Sequence, residues 1–308
     1  MAGYPKPAQP LVDMKAEHAF FVGIDSDGCA FDTMEIKHKE CFTPNIIKHW
    51  ELQAVSKYAR EASEFVNLYS KWRGINRWPA LVMVFDLLRE RAEVRARNVV
   101  PPEAPHLRAF IADGAFPKSN DGLAAYIEAH RCSELERAWT WTNAVNNTIA
   151  DMVYGVPPFP YVRESLEFLA DKADMIVVSA TPVEALRREW EEHDIDQYVA
   201  VIAGQEMGKK QLHLELAAKG KYDQTHVLMV GDAPGDMDAA KANGALFYPI
   251  NPGDEEASWQ RFYEEAVHKF LAGEYAGAYE AELIAAFEAV LPDTPPWKRA
   301  KASSGSAM

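Results

Sequence analysis

The stretch FFVGIDSDGCAFDTM, Phe20–Met34, sets the reading of the whole chain. It opens with an unbroken apolar run, Phe20-Phe21-Val22-Gly23-Ile24. It then turns to two carboxylates one residue apart, Asp25 and Asp27, with Gly28 behind them. A short continuous apolar run bounded by turn residues fits a strand buried on both faces of a parallel sheet, and not the alternation of a half-exposed strand. Two acids closing such a strand point to a site at its carboxyl end, because a turn former or a helix cap would need only one of them.

Four further runs of the same kind follow. They are MIVVSAT (Met175–Thr181), YVAVIAG (Tyr198–Gly204), HVLMVGD (His226–Asp232) and LFYPI (Leu246–Ile250). Helical patterns separate them, among them YVRESLEFLADKA, PVEALRREWEEHD, LHLELAAKG and GDMDAAKANG. Strands alternating with helices predict an α/β fold with a doubly wound, Rossmann-like parallel sheet. Between the first and second strands the pattern is helical only, as in ELQAVSKYAREASEFVNLYSKW and PALVMVFDLLRERAEVRAR. A helical insert of that length reads as a separate all-helical cap domain, with GVPPFP, Gly155–Pro160, as its return linker. The expected layout is a catalytic core of residues 1–32 and 158–254, a cap of 33–157, a C-terminal helical extension of 255–292 and a disordered tail of 293–308.

At 308 residues the chain is long enough for two domains, and 48% hydrophobic residues supply ample core. Its net charge of -14 argues against a nucleic-acid partner, which needs a basic surface. A small anionic ligand stays compatible, since one local basic cluster overrides the global field. The three cysteines, Cys29, Cys41 and Cys132, have no paired spacing and read as reduced thiols of a cytoplasmic protein. The first residues lack the basic start and apolar run of a signal peptide, and no stretch is long and apolar enough to span a membrane. The sequence sets no oligomeric state.

In an open parallel sheet ligands bind outside the carboxyl ends of the strands. The predicted strands end in Asp25 and Asp27, in Ser179 and Thr181, in a loop with Lys209 and Lys210, and in Asp232 with Asp236 behind it. Acids, hydroxyls and a lysine from four strands would thus meet in one crevice.

This order of pieces resembles the haloacid dehalogenase superfamily of phosphohydrolases, over Phe20–Lys37 and Tyr161–Ile250. Its D-x-D-G-x motif matches Asp25-Ser26-Asp27-Gly28-Cys29, its strand-closing hydroxyl matches Ser179, and its G-D-x-x-x-D matches GDAPGD. The family lysine usually stands in G-K-P. Here GQEMGKKQLHL has no proline, and Lys210, immediately before the helical run, is taken over Lys209. The resemblance implies a Mg2+-dependent phosphatase acting on a small phosphorylated metabolite. Asp25 would be the nucleophile that becomes an aspartyl phosphate, Asp27 the acid and base, and Ser179 with Ala180 would bind phosphate oxygens. Lys210 would offset charge. Asp25, Asp232, Asp236 and the backbone carbonyl of Asp27 would hold the Mg2+. The dehalogenating members lack the second acid, so Asp27 favours phosphoryl transfer.

In the cap, KWRGINRWPAL (Lys71–Leu81) is similar to the specificity loop of β-phosphoglucomutase, and this resemblance implies that Arg73, Asn76 and Arg77 touch the substrate. A guanidinium fork suits a second anionic group or sugar hydroxyls. Trp72 and Trp78 read as cap core, Cys29 as a small filler and His213 as a lone helical histidine. The rival expectations are a phosphosugar mutase using the same aspartyl phosphate, and a non-catalytic phospho-receiver or ligand-sensing module.

Overall fold

A computed structural model describes residues 4–298. The chain divides into two compact units. Among the described residues, one comprises 4–34 and Gly155–Val290; the other comprises Glu35–Tyr154 and 291–298.

The first unit is built on a five-stranded sheet: β1 (Phe20–Ile24), β2 (Ala173–Val178), β3 (Val201–Ala203), β4 (Val227–Gly231) and β5 (Leu246–Pro249). Every pairing is parallel and the spatial order is β3-β2-β1-β4-β5. The chain therefore leaves the central strand in one direction for β2 and β3 and in the other for β4 and β5. The carboxyl ends of β1 and β4 flank the point where that direction reverses, which is where such sheets open a crevice. β1 and β2 are buried almost throughout, as their unalternating sequences require. Val22, Ile24, Val177 and Val230 form one cluster with Trp190 and Trp259. Fully burying an aliphatic or aromatic side chain contributes roughly 1.5–3 kcal/mol or more, so this cluster is a principal source of the unit's stability.

Gly23 sits in the middle of β1 where a side chain would be crowded by its neighbours. A Cβ at this position would lie 3.0 Å from Leu214 and 3.1 Å from Val178. The helix Lys210–Ala217 thus lies directly on the central strand, and this close approach carries Lys210 toward the strand ends.

Three sequence readings need revision. β2 stops at Val178, so Ser179-Ala180-Thr181 forms a loop in place of the last strand turn; the last ladder bond is from Ser179 N to Ala203 O at 2.9 Å. β3 has only three residues, because Asp196–Tyr198 is wound into a 3-10 turn. The helical stretch after residue 254 is broken near Gly273 and Gly277, both at positive φ, before resuming as Ala278–Val290.

Among the described residues of the second unit there are helices and no strand. Its long elements are Ser56–Asn67, Arg77–Glu90, Asn120–His130 and Ser133–Met152. The last two divide one continuous helical pattern at Arg131-Cys132. Trp78 and Trp141 meet edge to face at its centre, 5.6 Å apart. Part of the tail expected to be disordered, 299–308, lies outside the described residues. Residues 293–298 are placed: Trp297 packs edge-on to Phe65, the Arg91 guanidinium lies over Trp297, and Lys298 pairs with Glu90. No helix among the described residues is long and apolar enough to cross a membrane.

Candidate active site

Asp25 is the first residue beyond β1, held by a bond from its N–H to Val230 O at 3.0 Å and 4% exposed. Asp232 is the first residue beyond β4 and is fully buried. Asp236 lies in the first turn of the helix Pro234–Asn243, also fully buried. One carboxylate oxygen from each of the three lies within 4.8 Å of the others. Among the described residues this is the one such group of acids, histidines and cysteines.

Lys210 enters the group. Its Nζ stands 2.7 Å from Asp25 Oδ2 and 2.6 Å from Asp236 Oδ1. Lys209 is exposed and precedes the helix. Burial disfavours the charge on every member. It pushes the Asp25 carboxyl up to about 7; the Lys210 ammonium opposes that rise and the Asp236 charge adds to it. Asp236 is raised by burial too, against Lys210 and with Asp232. Lys210 itself is held protonated: burial works against its charge, and Asp236 and Asp25 outweigh it. Three carboxylates and one ammonium leave two negative charges out of water without a counterion, a costly arrangement unless a cation is supplied. Hard oxygen donors in a tight buried set suit Mg2+, which takes one or two carboxylates with water and phosphate oxygens.

Two close contacts fix this geometry. Asp236 Oδ2 accepts from Ala233 N at 3.1 Å, tying the acid into its own helix start. A Cβ at Gly231 would lie 2.4 Å from Asp236 Cβ, so the last residue of β4 has to be glycine for Asp236 to sit where it does. Gly231→Ala is expected to displace Asp236, to lower stability by about 1–3 kcal/mol through overpacking, and to reduce turnover. Thermal denaturation and activity measured together on this variant check it, and unchanged values in both would remove this role.

Asp27 is held apart from the cluster, in the turn after β1. Thr33 Oγ1 donates to its Oδ1 at 2.5 Å and Thr181 Oγ1 to its Oδ2 at 2.6 Å. The chain between Asp25 and Asp27 is a turn, closed by bonds from Ala30 N and Phe31 N to Ser26 O. Strand alternation is therefore not what aims Asp27; the two threonines are. Ser26, between the acids, is fully buried. Its Oγ donates to Glu189 Oε2 and accepts from Trp190 Nε1, both at 3.0 Å. Ser179 is buried, with its Oγ accepting from Thr181 N at 3.2 Å, and Ala180 beside it is exposed. Cys29 fills a fully buried position next to the acids; burial and then the charge of Asp232 push its thiol well up, so it is inert.

Sequence reasoning did not find Thr33, Glu189 or Trp190, because their partners are set by chain folding and no spacing announces them. His213 is fully buried one turn beyond Lys210, kept neutral by burial and by the Lys210 charge, with its pKa lowered to about 4.

The substrate-binding candidates Arg73, Asn76 and Arg77 belong to the second unit. Arg73 is 3% exposed and its Nη1 donates to Leu68 O at 3.0 Å. Asn76 is the N-cap of Arg77–Glu90, its Oδ1 accepting from Trp78 N, while its Nδ2 donates to Lys118 O at 2.8 Å. Arg77 Nη1 donates to Thr142 Oγ1 and Asn146 Oδ1.

Residues 119–248 match the family model of haloacid dehalogenase-like hydrolases. The matched segment contains Ser179, Lys210, Asp232 and Asp236, and begins after the Asp25–Asp27 turn. No curated protein matches the chain. Similar solved structures include a haloacid dehalogenase-like family hydrolase from Streptococcus pneumoniae, at 15% identity over 80% of this chain and 91% of that one, with a TM-score of 0.44. Another is described as a predicted phosphoglycolate phosphatase from Haemophilus somnus, at 15% identity over 77% and 87%, with a TM-score of 0.45. A third is described as a predicted phosphatase from Clostridium acetobutylicum, at 12% identity over 83% and 98%, with a TM-score of 0.42. Residues 119–248 are thus similar to haloacid dehalogenase-like hydrolases, and that segment carries the G-D-x-x-x-D acids that stand with Asp25 at the strand ends of the parallel sheet.

Proposed function

We propose that the protein is a Mg2+-dependent phosphatase that hydrolyses a small phosphorylated metabolite through an aspartyl phosphate on Asp25. The observation that carries this reading is the convergence of Asp25, Asp232, Asp236 and Lys210 from two strand ends and two helix starts on a single buried point.

An Asp25 carboxylate oxygen attacks phosphorus and the ester P–O bond breaks. The leaving alkoxide takes a proton from Asp27, whose carboxyl is oriented by Thr33 and Thr181. Asp27 then removes a proton from water, which attacks the phosphoryl group; inorganic phosphate leaves and the Asp25 carboxylate is regenerated. Ser179 Oγ and the Ala180 backbone donate to the phosphoryl oxygens. Lys210 stabilises charge that grows on them in the transition state. Asp25, Asp232, Asp236 and the Asp27 carbonyl would hold Mg2+, which when bound lets an anionic nucleophile meet an anionic phosphate. Two-hydroxyl anchoring of Asp27 matters because general acid–base help, typically about 10²–10⁴ in rate, depends on aim before pKa.

The test is phosphate release from a panel of phosphorylated sugars, nucleotides, small acids and phosphonates, with Mg2+ and again with EDTA. Release that needs Mg2+ and continues over many turnovers is the expected result. Transfer of the phosphoryl group to a second hydroxyl with no net phosphate would replace the reading by a mutase, and no reaction with any compound by folded, Mg2+-loaded protein would overturn it.

A further inference from the structure

Ser26 stands between Asp25 and Asp27 and is fully buried. Each of its polar groups is engaged. Its N–H donates to Asp25 Oδ1 at 2.8 Å, and its carbonyl closes the turn by accepting from Ala30 N and Phe31 N. Its Oγ donates to Glu189 Oε2 and accepts from Trp190 Nε1, both at 3.0 Å. Both partners lie near the end of the helix Val183–Glu192. The lead-in to the same helix carries Thr181, whose Oγ1 donates to Asp27 Oδ2. One helix, about 15 Å long, thus holds Asp27 from its lead-in and Ser26 from its last turn. A second helix, Glu255–Arg261, adds Trp259, whose Nε1 donates to Cys29 O at 2.7 Å further along the turn.

Stability alone does not call for this arrangement. A buried hydroxyl is costly unless it is bonded, and apolar groups of the same shape serve a core about equally well. Here the chain instead meets a buried serine with a carboxylate, beside a site that already holds more acid than base. A hydroxyl–carboxylate bond is the stronger, charge-assisted kind. Glu189 is partly buried and Ser26 and Trp190 fully so, which shields the bond from water. The Ser26 N–H holds one oxygen of Asp25 and leaves the other, Oδ2, to Lys210. Where Ser26 sits therefore sets how the Asp25 carboxylate is turned, and Asp27 follows it directly in the chain. A polar group kept in a core against its own cost, one bond from the reacting carboxylate, is a local violation of the kind that folds retain at functional sites.

We propose that Glu189 is a positioning residue: through the Ser26 hydroxyl, and together with Trp190, it fixes the turn that aims Asp25 at the substrate and at the cation. The inference rests on the phosphatase reading and gives Glu189 no contact with substrate. Its effect falls on the orientation of the nucleophile, hence on kcat and on Mg2+ affinity, and not on how tightly the substrate is held. A misplacement of about 1 Å in a reacting group costs about 10²-fold in rate, so a bond this close to Asp25 acts on the reaction itself.

The experiment compares wild type with Glu189→Leu, Glu189→Gln, Ser26→Ala and the combined Ser26→Ala, Glu189→Leu variant. It reads steady-state phosphate release from the best compound of the panel, calorimetric titration of Mg2+, and thermal denaturation of each full chain. Glu189→Leu is expected to lose about 10–100-fold in kcat with KM nearly unchanged, and about 10-fold in Mg2+ affinity, while still unfolding cooperatively. Glu189→Gln is expected to recover most of both losses, because its amide oxygen still accepts from Ser26. The combined variant is expected to fall no lower than Ser26→Ala alone, since residues that act through one contact do not add. Wild-type kcat in Glu189→Leu, a loss carried by KM alone, or full additivity in the combined variant would overturn the proposal. If folded wild type releases phosphate from no compound, the phosphatase reading fails by itself and the Mg2+ titration decides the positioning role. Equal Mg2+ affinity in wild type and Glu189→Leu, or binding by neither, then overturns it.

Discussion

Asp25→Asn abolishes phosphate release, by about 10⁴–10⁶-fold, the scale on which removal of a covalent nucleophile is felt. The amide keeps the shape of the carboxyl and still accepts the bond from Ser26 N, so the turn after β1 is preserved. What disappears is the anion that attacks phosphorus. The same change removes one of three crowded buried carboxylates, the one whose carboxyl burial has raised to about 7. Metal-free Asp25→Asn is therefore expected to melt no lower than wild type, and above it near neutral pH. Inactivity with retained or increased stability separates a chemical role from a structural one. Turnover above about one per cent of wild type, in a preparation free of wild-type protein, would sink the nucleophile assignment.

Lys210→Met has the second largest effect, and it works in the opposite sense on stability. Lys210 is the cation shared by Asp25 and Asp236. Removing one partner from a buried ion pair costs about 3–5 kcal/mol, and here two acids lose their counterion at once. Activity is expected to drop by about 10²–10³-fold, the range for loss of a preorganised charge on the reacting group. The pH dependence follows from the sign of the shifts. Asp25 and Asp236 bind protons more tightly in the fold than in the unfolded chain. Between the ordinary carboxylate pKa and about 7 the folded state therefore holds protons that the unfolded state has released, and stability falls as pH rises through that window. Metal-free Lys210→Met is expected to show this decline more steeply than wild type from about pH 5 to about pH 8, and Mg2+ is expected to flatten it in both. A melting temperature independent of pH and of Mg2+ in the variant would show that Lys210 does not balance these acids.

Much of the core was legible because its signals are local. Phe20–Ile24 is read to the residue as β1, and the acids after β1 and β4 stand out as polar groups where an apolar run stops. The choice of Lys210 over Lys209 rested on its place before a helix, and helix geometry does turn that side chain to Asp25 and Asp236. What stayed illegible is pairwise. Nothing near Asp27 in the chain announces Thr181, which meets it from 154 positions away. Ser26, the unremarkable residue between two acids, is fixed by a glutamate and a tryptophan on a distant helix. Gly231 could be seen as a turn glycine; only packing shows that the space it leaves belongs to Asp236. In the helical unit, periodicity located the helices but not the break at Arg131-Cys132.

The route of the chain at its far end has a consequence for how this architecture can be edited. An insert that enters and leaves a host fold at two points is a cassette: it can be excised, grafted or exchanged as one continuous stretch of gene. Here the second unit also takes in residues 291–298, with Trp297 against Phe65, Arg91 over Trp297, and Lys71 paired with Asp293. Its sequence is thus split into two pieces separated by the whole second half of the core. Residues 35–154 transplanted alone would arrive with an aromatic face lacking its partner. Recombination at the two obvious junctions is accordingly a poor route to new variants of this protein, and swapping its helical unit requires moving residues 291–298 with it.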